Sequence, residues 1–502
     1  MNLDELLTNI DCKKITSAGL DMEISGISCD SRECAPGFLF AAMNGAKSDG
    51  HGYILDALNR GASVFMVDEG FEYEKLGSKN PSAVFLTCSD TRKSFGMAAA
   101  NFYGNPSSKI KLVGVTGTNG KTTITYLINS ILEKAGRNTG LIGTIIYKIG
   151  PEVFPSSLTT PDSGKLQRFF SQMIDAGVDS AVIEVSSHAV HMKRIAGCEF
   201  DVGIFTNLTS EHMDFHTSME DYYLCKKDFF TNMLSQDGKK SKSFVINIDD
   251  PWGKRLVKEL GVETVTYSMS EPEATVSLVS VISDSWGIDA KISIKGNILN
   301  ICSPLSGRFN IYNIMAAAGA CWSLGVEAAA IEAGIEELQV VPGRFQRIEN
   351  NQGIDVIVDY AHTPDAIEKL LTEARRICEC RLITVFGCGG DRDRSKRPLM
   401  GELAGRLSDL VFVTSDNPRS EDPQSIISEI LSGMTGGMTG RVAVVEDRSI
   451  AIESAIMEAE KGDMVIIAGK GHEDYQLIGG KIINFDDREE AGKALEKKKG
   501  KM

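Results

Sequence analysis

The chain has 502 residues, 42% hydrophobic and 24% charged, an ordinary globular composition too long for one core, and at about 150 residues per domain it suggests three units. Its formal charge of −15 excludes a general nucleic-acid surface, which needs a basic footprint to neutralise phosphates. Small anionic ligands stay open, because local bases such as Lys121, Arg194, Arg344, Lys396 and Arg419 can hold them against the background field.

The opening Met-Asn-Leu-Asp-Glu-Leu-Leu-Thr-Asn-Ile carries acids where a signal peptide needs bases, and no apolar run approaches the roughly 20 residues of a membrane span. A cytoplasmic protein is expected. Eleven cysteines, an odd number without paired spacings, read as reduced thiols. No heptad seam is evident, so a monomer is expected.

The first unit, residues 1–107, has an apolar stretch at 38–42, a helix pattern near 53–59 and strand-like runs at 62–67 and 83–86, and ends at the turn cluster Gly104-Asn105-Pro106-Ser107-Ser108. The second unit, 108–340, opens with the most informative run, Ile-Lys-Leu-Val-Gly-Val-Thr-Gly-Thr-Asn-Gly-Lys-Thr-Thr at 110–123. A buried strand leading through glycines into a helix presents free backbone N–H groups and a positive dipole end to phosphate. Gly117, Thr118, Asn119, Gly120, Lys121, Thr122 and Thr123 form this cradle, with Lys121 adding charge and Thr122 a hydroxyl for magnesium. A standard phosphate loop has glycine where this chain has Val115. The tighter frame resembles the amide-forming Mur ligase and folylpolyglutamate synthetase superfamily more than kinases or motor ATPases.

Strand candidates at 180–185, 202–205 and 244–247 follow, suggesting a largely parallel α/β sheet with crossover helices. After the first comes Glu184-Val185-Ser186-Ser187-His188, and after the second the run from Asn207 to His216. Glu184 and His212 can ligate a divalent ion, although a carboxylate and water shell is the commoner magnesium choice. His-x-Asp-x-His in a loop is more often a hydrogen-bonding scaffold. On the amphipathic stretch 221–230 the default for Lys226 and Lys227 is a solvated face.

Helical patterns at 313–324 and 331–338 lead to Val341-Pro342-Gly343-Arg344, the junction with the third unit, 341–502. Its strand candidates, 356–360, 382–386, 410–414 and 464–468, each meet a polar or glycine-rich turn: Asp359–Asp365, Gly387–Pro398, Asp416-Asn417-Pro418-Arg419 and Gly469-Lys470-Gly471-His472-Glu473. Ligands of open parallel sheets sit beyond the carboxyl ends of strands, so four such turns point to a site rather than to charged loops.

These motifs together resemble the MurE-type Mur ligases of peptidoglycan synthesis, in the form that adds meso-2,6-diaminopimelate to UDP-N-acetylmuramoyl-L-alanyl-D-glutamate. The likeness spans nearly the whole chain, including Asp30-Ser31-Arg32, Pro36–Phe40, Asp49-Gly50, Thr159-Thr160-Pro161, Glu184–His188, the His212–His216 run and all four late turns. It implies three α/β domains, the central sheet carrying the phosphate loop and the last Rossmann-like. Ser31 and the loop Ala46-Lys47-Ser48 are placed at the nucleotide-sugar, and Thr159, Thr160, Ser186 and Arg194 at the muramoyl-dipeptide; Met192 stands where some relatives carry glutamine. Asn310, Arg344, Asp359 and Lys396 are placed around ATP. Lys226 is expected as a carbamate that builds a magnesium site with Glu184 and His212, Thr122 completing a neighbouring one, with Lys121, Lys226 and His212 as the catalytic set.

The resemblance assigns diaminopimelate to Arg392, Asp416, Asn417, Pro418, Arg419, Gly469 and Glu473. Its distal end bears a carboxylate and an ammonium, which call for an arginine and an acid; Arg419 and Glu473 supply them. Lysine-adding and folate-using relatives are the alternatives. The sequence does not identify the acceptor of the amine proton: it is a protein group or a substrate oxygen, and His212 and His362 are candidates by titration range alone.

Overall fold

The computed structural model describes residues 1–14, 22–45, 48–213, 215–236, 238–434 and 441–500. Among them the strands form three main sheets, each built from its own stretch of chain, and one two-stranded hairpin. The first sheet has five strands in the order Cys12–Lys14, Val84–Cys88, Val64–Asp68, Phe38–Ala41, Gly26–Ser28, parallel except for the first pair. The helix Thr91–Phe102 covers one face, capped by Asp90, whose carboxylate accepts from the Lys93 N–H at 3.0 Å.

The expectation of reduced thiols fails at one pair. Cys12 and Cys88 are direct partners across the antiparallel edge, with Cα atoms 4.5 Å apart, and they form a disulfide. That spacing belongs to close antiparallel neighbours and lies within disulfide range. Sequence separation of 76 residues hid the pairing.

The central sheet has eleven strands. Lys111–Thr116 lies in the middle, parallel to Ser180–Glu184 on one side and Val202–Phe205 on the other. Leu112, Val113 and Val115 are fully buried, which is why this strand reads as an unbroken apolar run rather than an alternation. Two antiparallel strands extend each end of the sheet, Ile146–Ile149 with Glu152–Pro155 and Ile288–Ile294 with Asn297–Ser303. The helix Lys121–Lys134 follows the phosphate loop and packs with Phe309–Ser323 and Ala328–Glu337 over one face.

The third sheet has six strands ordered Gln346–Arg347, Asp355–Asp359, Met464–Ala468, Leu382–Phe386, Leu410–Val413, Arg441–Val444, all parallel except the first pair. The last strand to be made in sequence, Met464–Ala468, inserts between the second and the fourth. This reversal of strand order opens a crevice at the carboxyl ends, where the four turns meet.

Contacts tie the third sheet to the second at the phosphate loop. Arg344 donates to the Thr122 hydroxyl at 3.2 Å, and the Asp365 carboxylate accepts from Asn119 Nδ2 at 3.0 Å and from the Thr209 hydroxyl at 2.8 Å. The first unit meets the second through Lys165 and Glu33, 3.4 Å apart.

Candidate active site

The phosphate loop is shaped by what its glycines must avoid. At Gly117, φ is 142° and a Cβ would lie 1.8 Å from the Thr206 hydroxyl; at Gly120, φ is 91° and a Cβ would lie 2.4 Å from Asn313 Oδ1. Only glycine fits either conformation and space. Lys121 folds back, its Nζ donating to the carbonyls of Gly117 at 3.0 Å and Thr118 at 2.7 Å. Thr206 and Asn207 brace the turn: the Thr206 hydroxyl donates to the Asn119 carbonyl at 2.7 Å, and Asn207 Oδ1 accepts from the Asn119 N–H at 3.0 Å.

Of the residues expected around ATP, Arg344 lies nearest the loop, bonded to Thr122 and set over the Tyr360 ring at 4.4 Å. Asn310 is buried behind Asn313, its amide donating to the Ser306 carbonyl at 2.6 Å and its Oδ1 accepting from Asn313 at 2.8 Å. Asp359 holds the junction, accepting from the Phe345 and Ala361 N–H groups at 2.7 Å each, and burial pushes its carboxyl above the usual range. Lys396 reaches across to donate to the His362 carbonyl at 2.9 Å.

Below the loop the helix Met219–Ser235 delivers Lys226, 1% exposed, whose Nζ donates to the Gly117 carbonyl at 2.8 Å and lies 4.6 Å from the Tyr222 ring centre. The solvated face expected from sequence is therefore wrong for Lys226, because position 226 falls on the helix's buried stripe with Tyr222, Phe229, Phe230 and Met233. Burial, reinforced by the Lys121 charge, holds the Lys226 amine far below the ordinary lysine range. Glu184, 1% exposed, is gripped by Thr144, whose N–H donates to Oε1 at 2.8 Å and whose hydroxyl donates to Oε2 at 3.0 Å. His212 sits at φ 58°, edge-on to His188 at 4.9 Å. Desolvation, opposed by Glu211 and reinforced by His188, Lys121 and Lys226, pushes its imidazole down to about 4.

Among the described residues no three His, Cys, Asp or Glu side chains lie together as a metal cluster. A cation at Glu184 and His212 would thus need donors of another kind; the Thr122 hydroxyl is one, and Lys226 would be one only as a carbamate. The set is rich in oxygen with one imidazole, which fits a hard divalent ion.

The dipeptide residues converge beside Glu184. The Thr160 hydroxyl donates to the Glu184 carbonyl at 2.7 Å and lies 3.4 Å from the Ser186 hydroxyl; Arg194 donates to the Thr160 carbonyl at 2.8 Å; the Thr159 and Thr144 hydroxyls are 3.1 Å apart. Ser31 is buried in the first unit. Ala46 and Lys47 of the expected uridine loop, and Asp214 of the histidine run, lie outside the described residues.

At the other turns, Arg419 takes φ 54° and donates to the Gly390 carbonyl at 2.7 Å, while the 475–484 hairpin pins its backbone through Leu477 and Gly479 at 2.9 Å each. Asn417 donates to Glu473 Oε2 at 2.9 Å. Gly469 has φ 120°, and a Cβ there would lie 2.9 Å from Asp416 Oδ2. A Cβ at Gly390 would lie 1.9 Å from the Pro418 carbonyl oxygen, so this glycine brings the 416–419 turn close. Arg392 stands exposed on the same rim.

Across 511 aligned residues the chain is 44% identical to the UDP-N-acetylmuramoyl-L-alanyl-D-glutamate--2,6-diaminopimelate ligase of Geobacter metallireducens, covering 99% of this chain and 98% of that one. It belongs to the Mur ligase family. The Mur ligase middle domain matches residues 115–321, the Mur ligase glutamate ligase domain 343–471 and the Mur ligase family catalytic domain 23–103. A second relative, the ligase of the same name from Clostridium tetani, is 43% identical over 97% of this chain and 98% of its own. A solved structure of a UDP-N-acetylmuramoyl-L-alanyl-D-glutamate--2,6-diaminopimelate ligase superposes with a TM-score of 0.70 at 30% identity, covering 99% of both chains.

In this Mur ligase several polar residues at the site escaped sequence reasoning. Thr144, Thr206, Asn207 and Asp365 each act through bonds to residues distant in sequence, and Asn313 through its bond to Asn310 on the same helix. Glu211 was read only as part of a run; burial alone would raise it, but Lys121, His212, His362 and Lys226 around it hold its carboxyl below the usual value. Lys470 also went unassigned and is fully buried.

Proposed function

We propose that this Mur ligase adds meso-2,6-diaminopimelate to the γ-carboxylate of the D-glutamyl residue in UDP-N-acetylmuramoyl-L-alanyl-D-glutamate, forming ADP and phosphate. The observation that carries the choice of amine is the pairing of Arg419 and Glu473 around one turn, joined through Asn417. An amino acid ending in carboxylate and ammonium uses both; L-lysine offers Arg419 no carboxylate.

A carboxylate is a poor electrophile, so it must be activated. One oxygen of the D-glutamyl carboxylate attacks the γ-phosphorus of ATP, ADP leaves, and an acyl phosphate results. The neutral amine then attacks the acyl carbon, phosphate departs with the oxygen that bridged it, and the new ammonium gives up its proton. His362 is held on the neutral side by burial reinforced by Lys396 and can accept; His212, weakly basic at about 4 and assigned to the metal, is the poorer acceptor.

The phosphate loop, Lys121 and Arg344 face the phosphates, supplying charge where the transferring group needs it. Asn310 and Asp359 act from behind, fixing Asn313 and the 343–345 segment. Thr160, Ser186 and Arg194 orient the dipeptide beside Glu184, and the first unit holds the uridine end at Ser31. Burial disfavours the ammonium form of Lys226, and its neutral amine adds carbon dioxide, releasing one proton and becoming a carbamate. Thr122, Glu184, His212 and that carbamate would hold magnesium, which when bound offsets phosphate charge.

No helix among the described residues is long and apolar enough to cross a membrane; the reading puts the enzyme in the cytoplasm, acting as a monomer. Phosphate release by the purified protein with ATP, magnesium and the UDP-dipeptide tests it. Release should follow meso-diaminopimelate and be far slower with L-lysine or with glutamate plus a folate. Equal release with lysine would hand the amine choice to the lysine-adding alternative.

A further inference from the structure

Lys470 has no exposed side-chain surface and takes no part in the chemistry above. Its Nζ donates to Glu473 Oε2 at 3.1 Å and to Asn417 Oδ1 at 3.3 Å, and lies 3.6 Å from Asp416 Oδ1. Asn417 donates to that same Glu473 Oε2 at 2.9 Å and is itself fixed by the Leu477 N–H on its Oδ1 at 2.9 Å. Glu473 Oε2 is thus spent on two donors inside the fold. Its Oε1 has no donor among the described residues, and the side chain keeps 19% of its surface open.

Charge points the same way. Asp416 and Glu473 are two carboxylates on one side of the turn, and Lys470 is the cation between them. Arg448, beneath Gly469, also acts on both carboxylates electrostatically, but its Nε and one Nη are bonded to Asp487 at 2.7 Å each, both side chains fully buried, and it donates to neither Asp416 nor Glu473. Without Lys470 the carboxylates would repel each other in a poorly hydrated site, and Glu473 would lose the bond that fixes its rotamer.

We propose that Lys470 is the positioning residue of the amino-acid pocket, clamping Glu473 by one carboxylate oxygen so that the other is presented to the ammonium of the incoming amino acid. The role extends to selectivity. Lys470 supplies a positive charge that partly cancels Asp416 and Glu473, so its removal makes the pocket more negative. L-lysine carries one more unit of positive charge than diaminopimelate, and the change must favour it relative to diaminopimelate. The inference rests on the acceptor pocket proposed above.

The test uses the full-length protein with Lys470→Met, Lys470→Gln, Glu473→Gln and the double variant Lys470→Met/Glu473→Gln, each followed by phosphate release while diaminopimelate, L-lysine and ATP are varied in turn. Both Lys470 variants should raise KM for diaminopimelate about tenfold or more and leave KM for ATP within about twofold. The preference for diaminopimelate over lysine should fall, and the double variant should be no worse than Glu473→Gln alone, since both changes remove one arrangement. Lys470→Gln, which keeps a donor, carries the test if Lys470→Met melts below the assay temperature. An unchanged KM for diaminopimelate, equal rises for diaminopimelate and ATP, or fully multiplicative effects in the double variant would each overturn the role. The wild-type arm separates the two readings: a wild type inactive on diaminopimelate overturns the reaction, whereas an active wild type with unaltered Lys470 variants overturns only Lys470.

Discussion

Among the described residues two lysines of this ligase lie buried, Lys226 at 1% exposure and Lys470 at 0%, and their surroundings differ. Lys226 faces a carbonyl oxygen, an aromatic ring and the like charge of Lys121. Lys470 faces Asp416, Glu473 and Asn417. Burial and the Lys121 charge outweigh the opposing pull of Glu211 on Lys226 and favour its neutral amine, a nucleophile; direct contacts to two carboxylates make Lys470 a clamp. Residue type and depth are the same, and the partners decide.

The largest expected effect comes from breaking the first member. Lys226→Met should lower kcat about a thousandfold or more, while leaving thermal stability unchanged or raised, because an apolar side chain replaces a buried amine. Carbon-13 NMR of protein equilibrated with labelled bicarbonate should show a carbamate resonance in wild type and in Lys470→Met but not in Lys226→Met. A resonance that survives in Lys226→Met would place the reactive amine elsewhere.

The second member is sharpened by its neighbour across the turn. Arg419→Ala should raise KM for diaminopimelate by about tenfold to a hundredfold, the worth of a charge-assisted pair, and leave KM for ATP nearly unchanged. Equal rises for both substrates would remove Arg419 from the choice of amine. A smaller loss, about threefold to tenfold in kcat/KM, is expected for Thr144→Val, which takes one of the two bonds that aim Glu184; a silent substitution would show that the backbone N–H of Thr144 suffices.

The least local effect is on stability. His212 and His472 are pushed down to about 4 and about 3 from an ordinary 6.5, mainly by desolvation. Both are neutral in the fold while the unfolded chain takes up protons below 6.5, so their contribution is complete above that pH and is lost as pH falls toward 4 and then 3. The melting temperature should therefore drop through this window, and less steeply in His472→Gln. An identical slope in that variant would assign the loss to other groups.

How legible these features were depended on whether the signal was local. Strands buried on both faces, such as 180–184, 202–205 and 382–386, announce themselves as apolar runs ending in polar turns, and the phosphate loop carries its glycines, lysine and threonines within ten residues. The antiparallel strands Ile288–Ile294 and Asn297–Ser303 alternate buried and open positions, a weaker period-two pattern that the parallel reading passed over. Lys226 could have been found: it sits four residues after Tyr222 and three before Phe229, on the apolar stripe of its helix. Lys470 had no such pattern, lying between two glycines at a strand end; Glu473 is on its own turn, but Asp416 and Asn417 come from a turn brought beside it only by insertion of the strand Met464–Ala468 into the middle of the sheet. The Cys12–Cys88 disulfide and the bond from Thr144 to Glu184 are of the same kind, set by register across a sheet rather than by sequence spacing.

The reaction itself rests on activation of a carboxylate by phosphoryl transfer. The most direct measurement follows oxygen: UDP-N-acetylmuramoyl-L-alanyl-D-glutamate labelled with oxygen-18 in its γ-carboxylate is incubated with the protein, ATP, magnesium and meso-diaminopimelate, and the released phosphate is weighed by mass spectrometry. One labelled oxygen in each phosphate, released only when diaminopimelate is present, is the predicted result. Unlabelled phosphate, or phosphate released at the same rate without the amine, would contradict it.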